Sequence, residues 1–412
     1  MALPDRGLPE AEIIAALTTK RSRDARWQDG RTFGLVFDGG PEVREIAEQV
    51  AAMFLHENAL NTFAFPSLAE IQAEVVAACA SLFHGGPEAA GFMTSGGTES
   101  ILVSVKAARE RARSERGVTE PNIVLARSAH AAFHKAAHDF GLEVRSVPVG
   151  PDWRAVPEAM AAEVDDRTAL VVGSAPQYPQ GVIDPIPELA ELASSVGASM
   201  HVDACMGGFV LPFMELNGEP VPPWDFRVPG VTTISADVHK LGYAPKGASV
   251  ILHRTKELRR YQTFVFDDWL GGFYASPNLQ GSRPGLPMAT AWAVMHRLGI
   301  DGYRDLTRTT IVTARAIADA VRATPGLRIL GEPDAHLLAI TGDGLDVFAV
   351  GEALATRGWH LDRQTPPDAL HLTVSAGNAP VLEQFLADLG AAVAETSGTR
   401  TADRSTDYAT LE

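Results

Sequence analysis

Residues 169–204 read ALVVGSAPQYPQGVIDPIPELAELASSVGASMHVDA, and this stretch decides the fold. ALVVGSA (169–175) is a near-continuous apolar run and reads as a buried strand. IPELAELASSVG carries apolar residues at helical spacing and closes at Gly197, a helix terminus. SMHVDA (199–204) is a second buried strand. Apolar strands of this length, separated by a helix, indicate a mostly parallel sheet with both faces covered. The crossovers are expected to be right-handed.

The pattern repeats outward. NIVLA (122–126), residues 144–149, VTTISAD (231–237) and SVILHR (249–254) read as further strands, with helices over HAAFHKAAHDF and 155–164. Toward the N-terminus, helical spacing appears at Ile13, Ile14 and Leu17, over about 41–56, and from Ser67 to Phe83. After about residue 300 a long helix pattern (301–323) ends at Pro325-Gly326. The short strands LRIL and HLLAITG then alternate with helices at 346–357 and 379–395. The expected organisation is an N-terminal segment (1–60), a large α/β domain (61–300), a smaller α+β domain (301–395) and a polar, disordered tail (396–412).

The 412 residues are 46% hydrophobic and 21% charged, ample for a large core. Lys and Arg number 35 and Asp and Glu 51, a net charge of −16. That excess argues against nucleic acid and anionic membrane as partners. The two cysteines, Cys79 and Cys205, make no disulfide framework and favour a reducing compartment. The N-terminal stretch holds no signal-peptide core or membrane anchor, so a soluble cytoplasmic protein is expected.

Three segments carry candidate chemistry. Thr94-Ser95-Gly96-Gly97-Thr98-Glu99 precedes a helix, where small residues and unbonded N–H groups suit an anion. Taken singly it is also an ordinary turn with a cap. Asp203 ends a buried strand, at the sheet edge where ligands sit in open α/β folds. In Ser-Ala-Asp-Val-His-Lys (235–240), Lys240 follows another strand and could act as an amine nucleophile. Together they describe a pyridoxal phosphate site: a phosphate cradle, an acid for the pyridine nitrogen and a lysine for the Schiff base. His130, His134 and His138 share a helix face, but two histidines do not make a zinc site, and no metal is expected.

The strings TSGGTES, SAHAAFHKAA, GVIDPIPELA, HVDACMGGFVLPF, SADVHKLGYAPKG and GGFYASPNLQGSRPG resemble those of the sphingosine-1-phosphate lyases. These are group II decarboxylase-like, fold type I pyridoxal 5'-phosphate enzymes. The likeness runs in order from about residue 26 to 390. It implies Lys240 as the Schiff-base lysine, Asp203 as the pyridinium partner and His130 as the ring-stacking histidine. It places Gly96, Gly97 and Thr98 in the phosphate cradle, and Gly281 and Ser282 on the cofactor phosphate of a neighbouring subunit, hence a homodimer with a shared active site. Tyr178, His239, Tyr274 and Lys246 match positions on the substrate side.

Two positions depart from the family. Phe37 stands where these lyases usually carry Tyr, and Asn61 falls where a His of an NPLHP-like string would be. Both family groups serve the phosphate end of the substrate. Phe cannot donate a hydrogen bond and Asn never carries charge. The cofactor chemistry is therefore expected intact and the substrate's phosphate handle altered, with Lys246 keeping one cation. The expected activity is retro-aldol cleavage of a 2-amino-3-hydroxy, long-chain-base-phosphate-like amine to an aldehyde and an ethanolamine phosphate-like product. The alternatives are an amino-acid decarboxylase, for which Arg283 is the nearest motif-borne candidate for binding a carboxylate, and a non-catalytic cofactor-binding dimer.

Overall fold

The computed structural model describes residues 3–406. Its larger sheet is built from β1 (Ala90–Thr94), β2 (Asn122–Ala126), β3 (Glu143–Val147), β4 (Thr168–Ser174), β5 (Ser199–Asp203), β6 (Thr233–Ala236) and β7 (Ser249–His253), in the spatial order β1-β7-β6-β5-β4-β2-β3. From β6 across to β3 the neighbours run parallel. Every residue of β4 and β5 is buried, as the apolar runs require of central strands covered on both faces. The helix between them, Ile186–Ser195, lays Ile186, Leu189, Ala190 and Ala193 on the sheet. Gly197, at φ +67°, takes the left-handed turn that leads into β5.

Two features depart from the sequence reading. β7 runs antiparallel to β6, and β1, hidden inside the Gly-rich stretch after residue 84, pairs antiparallel with β7. Gly91 makes that pairing possible, because a Cβ there would lie 2.2 Å from the Ile251 carbonyl. The helix read over 301–323 begins earlier: Gly285–Ala323 is one long element bent at Gly299 (φ 56°). The boundary expected at residue 300 thus falls inside a helix that serves both halves of the molecule.

Two short strands, β8 (Phe264–Phe266) and β9 (Tyr274–Ser276), form a separate hairpin. The smaller sheet comprises β10 (Leu327–Ile329), β11 (Leu337–Gly342), β12 (Asp362–Gln364) and β13 (Ala369–Thr373), antiparallel in the order β10-β11-β13-β12. Its core gathers Leu338, Ile340, Phe348, Leu372 and Phe385. Phe33 joins this core, and its N–H donates to the His360 carbonyl at 3.0 Å. The N-terminal segment is therefore tied to the C-terminal sheet. By contrast, helix Glu10–Arg21 buries none of its residues, so the apolar set Ile13, Ile14 and Leu17 faces outward.

Of the tail expected over 396–412, residues 407–412 lie outside the described residues. Before them the chain is anchored rather than frayed. The Thr401 N–H and the Arg404 guanidinium both donate to Asp346, at 3.1 and 2.8 Å, and Arg404 also pairs with Asp368. Among the described residues no helix is long and apolar enough to cross a membrane.

Candidate active site

The carboxyl ends of β5 and β6 and the start of helix Gly97–Arg116 meet at one edge of the large sheet. At the helix start the first backward hydrogen bond runs from the Ser100 N–H to the Gly96 carbonyl. Helix geometry leaves the N–H groups of Gly97, Thr98 and Glu99 directed out of that end, at the positive pole of the dipole. Glu99 is buried and braces the turn: Oε2 accepts from the Ser95 N–H and hydroxyl (2.7 and 2.8 Å), and Oε1 accepts from the Leu279 N–H (3.0 Å).

Gly97 has no room for a side chain. A Cβ there would sit 2.8 Å from Asp237 Oδ2 and 2.9 Å from the Cys205 sulfur. Gly97→Ala is expected to raise the dissociation constant for pyridoxal phosphate by about tenfold to a hundredfold, the equivalent of ~1–3 kcal/mol of overpacking. A cofactor titration followed by absorbance measures it. Wild-type affinity in that variant would show that the close approach is unimportant.

Asp203 ends β5 and is 8% exposed. Its Oδ1 accepts from the Cys205 N–H (3.0 Å) and the Ser235 hydroxyl (3.4 Å), which fixes the carboxylate plane. His130 follows β2. Its Nδ1 accepts from the Ala132 N–H at 3.1 Å, so the proton of the neutral ring is on Nε2. Burial lowers its pKa, against the opposing pull of Asp203, and a neutral flat ring suits stacking.

Lys240 Nζ lies 2.9 Å from Asp237 Oδ2, and His239 Nε2 lies 3.7 Å from the same oxygen. Asp237 is essentially buried. Burial raises the pKa of its carboxyl, but the charges of Lys240 and His239 outweigh that, and the net shift is downward. Its Oδ1 has no hydrogen-bond partner among the described residues, a buried polar atom facing the cradle. Asp237 lies within the SADVHK string, yet the sequence reading gave it no role. Its spacing three residues before Lys240 was the available signal. Burial drives the pKa of His239 down to about 4, so this ring is neutral near pH 7.

These residues fit pyridoxal 5'-phosphate: the helix start could hold an anion, Asp203 a protonated ring nitrogen, His130 a ring face, and Lys240 the aldehyde carbon. Gly97 packs its backbone against Asp237 and Cys205, so the helix start that would hold the phosphate abuts the segment that carries Lys240.

On the substrate side, Lys246 Nζ donates to the His239 carbonyl at 2.9 Å and stands 4.7 Å from the centre of the Phe37 ring. The residue as a whole is exposed. Its amine is nonetheless crowded by protein, and that burial together with the charge of Lys240 brings its pKa to about 8. A cavity of about 210 Å³ beside them is lined by Phe37, Arg44, Tyr243 and Lys246. A larger one of about 1040 Å³ is lined by Ser128, Trp153, Tyr178, Gln364, Pro366 and His371.

Other expected site residues make contacts with different elements. Asn61 is exposed and its Oδ1 caps its own turn, accepting from the N–H groups of Phe63 and Ala64 at 3.0 and 3.4 Å. Tyr274 belongs to the β8–β9 hairpin, among Phe264 and Trp269. Gly281 and Ser282 are exposed, and the Ser282 hydroxyl accepts from Asn58 Nδ2 at 3.4 Å. Arg283 donates to the Ala59 carbonyl (3.0 Å) and to Gln72 (3.3 Å), so its guanidinium is occupied in holding the loop. His134 and His138 are exposed, and no cluster of three or more His, Cys, Asp or Glu suited to a metal occurs among the described residues.

Comparison with known proteins adds the following. A family model described as the pyridoxal-dependent decarboxylase conserved domain matches residues 23–340. The sphingosine-1-phosphate lyase of Oryza sativa is 42% identical over 395 residues, covering 94% of this chain and 73% of that protein. Sphingosine-1-phosphate lyase 1 of Rattus norvegicus is 42% identical over 396 residues, 95% of this chain and 70% of that protein. The solved structure of the Burkholderia pseudomallei sphingosine-1-phosphate lyase superposes with a TM-score of 0.93 at 40% identity, covering 97% of this chain and 93% of that one. The Lactobacillus brevis glutamate decarboxylase shares the fold, with a TM-score of 0.84 at 22% identity.

Proposed function

Because this chain belongs to the sphingosine-1-phosphate lyases of the pyridoxal-dependent decarboxylase family, we propose that it cleaves the Cα–Cβ bond of a phosphorylated long-chain 2-amino-3-hydroxy base, releasing a fatty aldehyde and phosphoethanolamine. It is a pyridoxal-phosphate-dependent lyase. The observation that carries the reading is the convergence of Gly97, His130, Asp203 and Lys240 at one sheet edge, in a chain whose relatives at this identity are lyases.

Bound pyridoxal phosphate supplies an electron sink for the bond that breaks. The chain's own residues do the rest. The N–H groups of Gly97 and Thr98 hold the phosphate. Asp203, locked by Ser235 and the Cys205 N–H, would keep a proton on the ring nitrogen, and His130 would cover the ring face. Lys240 would hold the cofactor's aldehyde carbon, and Asp237, 2.9 Å from its Nζ, would keep the released amine as an ammonium. That ammonium is the proposed donor of the proton that Cα takes up after the β-hydroxyl has lost its own and the aldehyde has left. Val149, Trp153 and the prolines of the larger cavity offer an apolar wall for an alkyl chain.

Lys246 is the cation assigned to the substrate phosphate. With its pKa near 8, it is charged at neutral pH and loses that charge as the pH rises through 8. The KM for a phosphorylated base is therefore expected to rise between pH 7.5 and 9.5 in wild type. In Lys246→Met it is expected to be flat and about tenfold higher at neutral pH, the equivalent of one charge-assisted hydrogen bond. A wild-type pH profile unchanged by that substitution would remove Lys246 from this role.

The working form is proposed to be a cytoplasmic homodimer. Leu270, Phe273 and Phe63 are 107%, 70% and 98% exposed in the single chain, and such apolar surface suits a second copy. An amino-acid decarboxylase needs a cation for the substrate carboxylate, and Arg283 is already engaged by the loop. Incubation with sphingosine 1-phosphate and, separately, with a panel of amino acids tests the choice. Aldehyde from the former is the expected product. Carbon dioxide from the latter with no aldehyde would overturn the lyase reading.

A further inference from the structure

Tyr178 reaches the larger cavity from the loop after β4, and the contacts that aim it come from the small domain. Its hydroxyl donates to Asp362 Oδ2 at 2.9 Å. Its carbonyl accepts from His371 Nε2 at 2.8 Å, and the two rings stack with centroids 3.9 Å apart and planes 28° from parallel. Asp362 and His371 face each other as register partners in β12 and β13, so one rung of the small sheet grips both ends of one residue.

Neighbouring contacts hold the rest of the loop to the same body. Gln364 Nε2 donates to the Pro179 carbonyl at 2.9 Å. The Asp334 N–H donates to the Gly181 carbonyl at 3.0 Å. Gly181, at φ +73°, lies so close to Leu337 that a Cβ would be 2.4 Å from its carbonyl oxygen.

His371 is fully buried and must be neutral. The Tyr178 carbonyl can only accept, so Nε2 carries the proton, and Nδ1 has no partner among the described residues. A charged ring would leave a buried N–H unmatched. Burial lowers its pKa to about 4, with the bond to Tyr178 and the nearby Asp362 opposing. A neutral donor in a fixed tautomer is a stable anchor across the working pH range. With the phenol proton committed to Asp362, the Tyr178 oxygen meets a substrate hydroxyl as an acceptor.

We propose that Asp362 and His371 are positioning residues that fix Tyr178 as hydrogen-bond acceptor for the β-hydroxyl of the substrate, coupling the small domain to the chemistry. The proposal rests on the retro-aldol reading for its consequence in turnover, and on the contacts alone for the clamp. In balance, the β-hydroxyl proton passes to the Tyr178 oxygen as the phenol proton passes to Asp362, the hydroxyl carbon leaves as the aldehyde, and the electron pair of the broken Cα–Cβ bond stays with Cα until Lys240 returns a proton there.

The test uses the cofactor-loaded full chain with Asp362→Ala, His371→Leu, His371→Gln, Tyr178→Phe and the double variant Asp362→Ala/Tyr178→Phe. Hydrogen exchange of the peptide spanning 175–181 is expected to quicken about tenfold in His371→Leu and to return toward wild type in His371→Gln, whose amide can still donate. For sphingosine 1-phosphate, kcat is expected to fall about tenfold to a hundredfold in Asp362→Ala, with KM and cofactor absorbance little changed. The double variant is expected to be no slower than Tyr178→Phe alone. Losses that multiply, or unchanged exchange and unchanged kcat, would overturn the proposal. Should His371→Leu fail to fold, Asp362 on its partly exposed strand still decides it. If the wild type forms no aldehyde, the lyase reading falls, and exchange alone judges the clamp.

Discussion

Lys240→Ala is expected to abolish aldehyde release, by about four orders of magnitude or more, ~5 kcal/mol of barrier. The visible absorbance of the lysine-bound cofactor should vanish with it. In the proposed mechanism the side chain is needed twice, as the amine that holds the cofactor's aldehyde carbon and as the proton carrier 2.9 Å from Asp237. Its removal also strands a buried carboxylate, since Asp237 would lose its closest cation. Breaking a buried pair in this way costs about 3–5 kcal/mol. Lys240→Arg separates the two effects, because it keeps a cation beside Asp237 but offers an amine too basic to react. The arginine variant should therefore melt close to wild type and be as inactive as the alanine one. An active Lys240→Arg enzyme would contradict the assignment.

The second large effect is expected at Asp203. In Asp203→Asn the side-chain oxygen can still accept from the Cys205 N–H and from Ser235, so the loop after β5 keeps its shape. What disappears is the negative charge proposed to hold a proton on the pyridine nitrogen. Turnover is expected to fall about 10²–10³-fold, the scale of losing one preorganised electrostatic group. Cofactor content should remain near stoichiometric and the melting temperature should change little. A variant that turns over at the wild-type rate would show that Asp203 is a structural cap only.

The large domain was legible because central strands carry their burial in their own sequence. ALVVGSA and SMHVDA announce β4 and β5, and Gly197 marks the turn between helix and strand. β1 was not legible, because AGFMT has the length of a strand but sits between two glycine-rich turns, and only its pairing with β7 identifies it. The first half of helix Gly285–Ala323 was hidden by the Pro and Gly residues at its start. Of the proposed site, Gly97, Asp203 and Lys240 could be picked out from local strings, since each sits at the end of a recognisable element. Asp362 and His371 could not. Their partner Tyr178 lies 184 and 193 residues away in the chain, and nothing local to β12 or β13 signals it. Asn61, selected by its place in a motif, also caps its own turn through its side-chain oxygen, a local contact the motif does not announce.

The most direct measurement of the central claim is the mass spectrum of phosphoethanolamine formed from sphingosine 1-phosphate by the cofactor-loaded enzyme in D₂O. Cleavage between Cα and Cβ, followed by proton return to Cα, requires one carbon-bound deuterium in each phosphoethanolamine and one fatty aldehyde for each molecule formed. That is the expected result. Intact sphingosine 1-phosphate after prolonged incubation, with carbon dioxide released from an amino acid by the same preparation, would contradict it.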